Sequence, residues 1–431
     1  MRITELTLDG QNLLEGGAGA TIPEYEGPAS CDIEVNFGTN DYTTISDAVA
    51  GAVAGDVICV GPGNYSDSWE PNNLIDVNQE VTIVSTEGPD STDSVPFAVS
   101  ADNVTIKGFT ISNPNGRSAI EMTGVNNITI TDNVITNIGT TLTEGGVQAV
   151  YIQGVAGTLE NFVVTNNQFS DIGNTNLIAG SQPGGTSAKA IYVGDTGSNG
   201  LIDGVTVTNN TITNVRAGTA EWTDGRGAYG FLANTGGGTE NVLLENNTIT
   251  NLEGLWAQAI SFTNDTPDAV VQSNDISNLV DHKSPADAIG VNIESSNSAA
   301  ALITITENNF GPNVAFGVHN KTNDTVVAQN NWWGGFTPEV LGDVDTSDFA
   351  GGPFNGFVNG TDQNGNGYAD LADLQASDIT NITPGLDPYD SSQQNDKEFV
   401  MSVQLDGPTT DNQFQGLGLD EVDIEFTLNQ I

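Results

Sequence analysis

A short pattern of alternating apolar and polar residues, ending in an Asn and one more apolar residue, recurs along the middle of the chain. It reads ITITDNVI at 128–135, VTVTNNTI at 205–212 and ITITENNF at 303–310. Alternation with period two predicts a strand with one buried face, and the Asn marks a turn after the strand. The shared Asn stands at seven positions, which are Asn133, Asn167, Asn210, Asn247, Asn274, Asn308 and Asn330.

A second series of strands lies between copies of the first, and each of these strands begins with Ala, as in AVYI at 149–152 and AIYV at 190–193. Two interleaved series predict coils that stack strand on strand, so the expected fold is an all-β parallel β-helix. Buried turn amides would satisfy one another from coil to coil. The Ala positions are Ala119, Ala149, Ala190, Ala228, Ala259, Ala288 and Ala315.

Both ends of the predicted coil carry features that would close it. Residues 42–65 read as a short amphipathic helix followed by GDVICVGPGNY, and Trp332 and Trp333 in NNWWGG would seal the last coil. Together these features resemble the right-handed parallel β-helix superfamily of pectate-lyase-like and NosD-like repeat proteins over about residues 31–340. The resemblance implies a fold and no particular activity.

After about residue 340 both series stop, and TDQNGNGYADLADL follows. Its spacing matches a twelve-residue calcium loop, in which alternate residues of a tight turn point oxygen ligands inward. Only three of the expected ligands are carboxylates, so we expect modest affinity, and a solvated Asp/Asn/Gly turn is the alternative. The expected calcium ligands are Asp362, Asn364, Asn366, Tyr368 through its carbonyl, Asp370 and Asp373.

From Lys397 the sequence resembles the end of the TasA/camelysin family of exported matrix-fibre subunits, with NQFQG at 412–416 and a final Gln430. The resemblance implies a partial, jelly-roll-like β-sandwich. It also implies fibres in which the chain binds copies of itself. Residues 1–14 would then form a strand in the sandwich of a neighbouring copy. The alternative is that this strand pairs within its own chain. The predicted domains are an extended strand and tether at 1–30, the β-helix at 31–340, and the calcium loop with the sandwich part at 341–431.

Charge narrows the possible partners. Nine Lys and Arg against 56 Asp and Glu give a net charge of -47, which would repel nucleic acid and anionic membranes. No apolar run reaches the ~20 residues of a membrane span. The carboxylates of the chain also repel one another, and high salt screens that repulsion. We therefore expect a salt-adapted protein, with a secreted protein whose carboxylates are saturated with calcium as the alternative.

The two cysteines and the first residues bear on location. Cys31 and Cys59 favour a disulfide over two free thiols, and with it an extracellular location. The first ten residues lack the apolar core of a signal peptide. We therefore expect either a leader that was removed earlier or another export route.

An enzyme acting on an acidic polysaccharide would need a base beside the sugar and a group that neutralises the carboxylate. The weak candidates are Asp224 with Arg226, and His282 with Lys283, in the variable segments before the Ala-led strands. The alternative is that these cations pair with nearby carboxylates.

Taken together, the sequence features predict an extracellular structural protein, a subunit of a surface filament, tube or matrix that assembles by strand donation and calcium. The alternatives are a secreted β-helix polysaccharide lyase, hydrolase or epimerase with a carbohydrate partner, and an adhesion or viral spike module.

Overall fold

In a computed structural model the chain divides into two compact units. They are Thr21–Phe354, and Met1–Ala20 with Asn355–Ile431. In the second unit the structure describes the backbone of three strands, at 2–8, 11–12 and 399–404. In the first unit it describes residues 25–36, 42–65, 74–142, 145–174, 187–195, 197, 199–218, 227–282, 288–334 and 339–347.

The larger unit is a right-handed parallel β-helix, as predicted, and each coil crosses three parallel sheets in turn. The strands of the first sheet are Ile33–Val35, Val57–Val60, Thr82–Ser85, Thr105–Lys107, Ile128–Thr131, Thr158–Thr165, Leu201–Thr208, Thr239–Glu245, Val270–Gln272, Thr304–Thr306, Val326–Val327 and Val344–Asp345. Those of the second sheet are Gly63–Tyr65, Thr92–Ser94, Thr110–Asn113, Val134–Ile138, Gln168–Gly173, Thr211–Arg216, Thr248–Gly254, Asp275–Asp281 and Asn309–Phe310. Those of the third sheet are Ile75–Val77, Phe97–Val99, Ile120–Thr123, Gly146–Gly154, Ser187–Asp195, Gly227–Asn234, Trp256–Phe262, Ile289–Ile293, Phe316–Asn320 and Val340–Leu341.

The core lies inside the coil and follows from the period-two pattern. In ITIT the inward residues Ile128 and Ile130 are buried, and they stack on Phe162 and Val164 of the next coil. The same inward columns continue along all three sheets. Removal of this apolar surface from water is the main favourable term for the fold.

Asn side chains at the turn between the first and second sheets link the coils. Asn247 shows the pattern: its Nδ2 donates to Asn274 Oδ1 at 2.9 Å and to the Val207 carbonyl at 2.8 Å. Its Oδ1 accepts from the backbone N–H of Asn210 at 3.0 Å. We call this column the Asn ladder, and its members are Asn133, Asn167, Asn210, Asn247, Asn274, Asn308 and Asn331.

The sequence interpretation of the Asn ladder was wrong in one position. The last member is Asn331, which accepts from Asn308, and not Asn330. Asn330 instead has φ 56°, and a left-handed residue precedes each ladder Asn in the same way. The residue before the turn therefore takes the strained backbone conformation, and the ladder Asn supplies the hydrogen bonds.

The Ala-led strands form the third sheet, but their Ala residues occupy two adjacent columns instead of one. Ala119, Ala149 and Ala190 stack in one column. Ala228 and Ala288 stack in the other, two residues earlier in the strand. Small residues are needed where aromatic rings fill the coil. A Cβ on Gly290, in the first column, would lie 2.5 Å from the Phe310 ring.

The ends of the coil agree with the sequence in part. Helix α1, Ile45–Gly51, buries its apolar face, and Thr44 caps it by accepting from the Asp47 N–H at 3.0 Å. The Cys31–Cys59 disulfide is present. Trp333 is buried against Phe310, with ring centroids 4.9 Å apart. Two further strands follow it, however, so Trp333 does not end the coil.

Helices are few in the described part. A short 3-10 helix spans Ala300–Leu302. No helix in the described part is long and apolar enough to cross a membrane.

The smaller unit contains an antiparallel sheet in which Arg2–Leu8 pairs with Gln11–Asn12 and with Phe399–Gln404. The strand expected to be lent to a neighbouring molecule therefore pairs within its own chain, and that prediction is wrong. The calcium loop at 362–373 and the NQFQG segment lie outside the described residues.

Replacing Asn247 with Ala should lower the free energy of unfolding by about 2–4 kcal/mol, because several buried backbone groups lose their partners. Urea unfolding followed by circular dichroism measures the change. Asn246→Gly is the matched control, since Asn246 is exposed with φ 55° and Gly accepts that conformation. Equal losses in the two variants would contradict the role of the Asn ladder.

Candidate functional site

The outer face of the third sheet differs from those of the other two sheets. The first and second sheets present mainly hydroxyl groups, as in Thr129 and Thr131 or Thr248 and Thr250. The third sheet presents a more varied column, with two tyrosines beside acidic, aliphatic, hydroxyl, amide and imidazole side chains. In coil order, this column contains Glu121, Tyr151, Tyr192, Leu232, Ser261, Asn292 and His319.

Lys189 lies on this outer face, in a second column between Gln148 and Tyr229. Although it points away from the core, it is only 9% exposed. Its Nζ lies 2.9 Å from Ser187 Oγ and 4.9 Å from the centroid of the Tyr192 ring. Burial lowers the pKa of Lys189 from 10.5 to about 8, because the charged ammonium loses water.

Lys189 has no acidic partner among the described residues, although the chain is strongly acidic. Lys107 pairs with Asp132 at 3.5 Å, and Lys321 pairs with Glu294 at 2.6 Å. The salt bridges of the described part do not include Lys189. A buried cation without a counter-ion costs folding free energy, and such groups are concentrated at functional sites.

Three tyrosines lie on this face near Lys189: Tyr192 contacts its ammonium group, Tyr151 stacks on Tyr192, and Tyr229 pairs with Lys189 in the next coil. The Tyr151 and Tyr192 rings stack with centroids 5.1 Å apart. Burial raises the pKa of Tyr151 and of Tyr229 to about 12, and it also raises the pKa of Tyr192. At neutral pH these phenols therefore keep their protons and act as hydrogen-bond donors or acids.

Polar groups crowd around Gly146. A Cβ on this residue would lie 2.9 Å from Gln148 Nε2, 3.3 Å from Ser187 Oγ and 3.6 Å from Lys189 Nζ. An amide, a hydroxyl and an ammonium group thus converge where Gly146 carries no side chain, and they leave too little room for a Cβ atom. These groups are hydrogen-bond donors, which suit the oxygen atoms of a polar ligand.

The residues singled out from the sequence are not brought together in the described part. His282 lies at the end of the second sheet, where Nε2 is 3.0 Å from Glu253 Oε1. Asp224, Arg226 and Lys283 lie outside the described residues, as do the six expected calcium ligands. Among the residues that are described, no group of three His, Cys, Asp or Glu could hold a metal ion.

No protein-family model and no curated protein matches the chain. A structure search finds an alginate lyase from Paenibacillus sp. str. FPU-7, with 16% identity and a TM-score of 0.41 over 70% of this chain and 96% of that one. It also finds the pectin methylesterase from carrot, with 13% identity and a TM-score of 0.34 over 75% and 90% of the two chains. The pectin methylesterase from Aspergillus niger has 14% identity and a TM-score of 0.28 over 76% and 89%. Similarity at this level assigns no activity to this chain.

The prediction of a filament subunit is wrong. The segment expected to join one molecule to the next pairs within its own chain.

Sequence reasoning missed Lys189, although the residue carried a signal. It is one of nine basic residues, and it stands inside an Ala-led strand, AKAIYV, where a core strand has no need of a cation. The candidates considered were in the variable segments, whereas this cation lies on the regular sheet beside them.

Replacing Lys189 with Met should stabilise the protein below pH 8 by up to about 3 kcal/mol, because the variant no longer buries a charge. In the native protein, stability should rise between about pH 8 and 10.5, since there the unfolded chain binds the proton that folded Lys189 has lost. Denaturation at a series of pH values measures both effects. Lys321→Met, which removes an ion-paired cation, should change neither; an unchanged pH slope in K189M would contradict the burial argument.

Proposed function

We propose that the outer face around Lys189 is the active site of an enzyme that cleaves an acidic polysaccharide by elimination. The observation that carries the proposal is the buried Lys189, which has a pKa of about 8 and no salt-bridge partner among the described residues. It lies beside protonated tyrosines and the polar groups that converge at Gly146. A base of this pKa is neutral in a useful fraction of molecules near physiological pH.

In the proposed reaction, neutral Lys189 takes the proton from the sugar carbon next to the carboxylate. The electron pair of that C–H bond forms a carbon–carbon double bond, and the bond from the neighbouring carbon to the glycosidic oxygen breaks. Tyr192, whose ring lies 4.9 Å from Lys189 Nζ, gives its proton to the leaving oxygen. Transfer of the proton from Lys189 back to the tyrosine restores both groups, so no water or oxidant is consumed.

The net charge of -47 repels an acidic polymer at low ionic strength. At molar salt the Debye length falls to about 3 Å, so that contacts inside the site outweigh the repulsion by the rest of the surface. We therefore propose activity in concentrated salt. The Cys31–Cys59 disulfide supports an extracellular location, because disulfides persist in oxidising compartments.

Purified protein should release unsaturated ends from uronate-containing polysaccharides in high salt, seen as ultraviolet absorbance. The rate should rise with pH about a midpoint near 8, as Lys189 loses its proton. K189M should lose at least a hundredfold in kcat, whereas K321M should keep the native rate. An active K189M, or no unsaturated product from any acidic polysaccharide, would overturn the proposed function.

We propose in addition that the 362–373 loop binds calcium, on the support of its ligand spacing alone. Calorimetric titration of the full chain should show binding of calcium with modest affinity. D362A and D373A should each weaken it at least tenfold, because each removes a carboxylate ligand. Asp387→Ala lies outside the loop and serves as the control; the same affinity in all variants would refute the site.

A further inference from the structure

We infer that Asn209 and Asn246 are attachment sites for N-linked sugar chains. This inference goes beyond the proposed function and concerns a covalent modification of the chain. The acceptor pattern for the modification is Asn-x-Ser/Thr, and ten copies of it occur in the sequence. The copies begin at Asn64, Asn103, Asn127, Asn209, Asn246, Asn264, Asn320, Asn323, Asn359 and Asn381.

Hydrogen bonds hold the side-chain amide in four of these copies. Asn127 donates to Asn103 Oδ1 at 2.9 Å, and Asn264 donates to a backbone carbonyl at 2.8 Å. Asn320 is 2% exposed and donates to the Asp343 carbonyl at 2.7 Å. These four amides therefore have structural partners in the folded protein.

Four more copies differ from the two proposed sites for other reasons. In the copy that begins at Asn323, the Thr325 hydroxyl group donates to a carboxylate oxygen at 2.9 Å. The copies that reach into residues outside the described part are those at Asn64, Asn359 and Asn381.

Asn209 and Asn246 occupy the same place in two consecutive coils. They lie at the turn between the first and second sheets, with φ 57° and 55°, and both are exposed. In the described part, no hydrogen bond holds either side chain. The residue after each is a buried member of the Asn ladder, which makes the hydrogen bonds between coils. A sugar on Asn209 or Asn246 therefore leaves the Asn ladder intact.

The hydroxyl groups that complete the acceptor pattern are also accessible. Thr211 and Thr248 begin strands of the second sheet and pair with each other in register. Their side chains lie on the outer face of that sheet, where Thr211 is exposed and Thr248 is half-buried. Neither hydroxyl group is held by a hydrogen bond within the described residues. Each of the two copies thus presents an unbonded amide and an unbonded hydroxyl group on the surface.

The chemistry of the modification fits an exported chain, which the Cys31–Cys59 disulfide supports. The acceptor pattern is used in secreted proteins. The Asn amide nitrogen forms a bond to the anomeric carbon of a sugar chain that is carried on a lipid phosphate. The bond from that carbon to the phosphate oxygen breaks, the lipid phosphate leaves, and a base of the transferring enzyme takes the amide proton.

The test is peptide mass spectrometry of the full chain as secreted by the organism that encodes it. At least one of Asn209 and Asn246 should carry the mass of a sugar chain, since the two turns are only about 4.8 Å apart. Thr211→Val and Thr248→Val should each abolish the sugar on the preceding acceptor, because the hydroxyl group is lost. Thr211→Ser keeps a hydroxyl group and should keep the sugar.

Asn166 provides the matched control. It is exposed with φ 56° at the same turn one coil before Asn209, but Gln168 stands where the hydroxyl residue would be. Asn166 should carry no sugar in the native chain, and Gln168→Thr should make it an acceptor. The inference fails if Asn209 and Asn246 are both unmodified in the secreted protein, or if their sugars persist in T211V and T248V.

Discussion

The constraint on which the rest of the structure depends is the fixed register between successive coils. Parallel strands about 4.8 Å apart place equivalent residues in columns, and the buried Asn ladder prevents one coil from slipping against the next. Lys189 therefore has Gln148 and Tyr229 as its neighbours, although each is about 40 positions away in the chain. A site on such a surface is assembled by stacking and needs no contact between sequence neighbours.

The same register explains how a strongly acidic chain maintains a cationic site. The other two described lysines, Lys107 and Lys321, pair with carboxylates. Lys189 instead faces tyrosine, glutamine and serine side chains, and no acidic side chain of the described residues forms a salt bridge with it. Burial of the charged Lys189 lowers the stability of the folded protein, and it produces a base that titrates near pH 8.

Three features were predictable from local sequence. The β-helix follows from a repeated pattern, helix α1 from the spacing of its apolar residues, and the disulfide from the chain's two cysteines.

The candidate site was not predictable, because its geometry depends on one irregularity. Ala190 and Ile191 are both buried although they are consecutive. Strict alternation would therefore place Lys189 and Tyr192 on opposite faces of the sheet, whereas this pair brings them to the same face. The pairing of Arg2–Leu8 with Phe399–Gln404 spans almost the whole chain, and local patterns carry no information about such a contact.

Titration of the Lys189 side chain by NMR tests the central claim most directly. The chain has only five lysines, so carbon-13 labelling resolves their signals, and the spectrum of K189M assigns the one in question. A midpoint near pH 8 for Lys189 is the predicted result. A Lys189 signal that titrates near 10.5 would show a solvated ammonium and contradict the account.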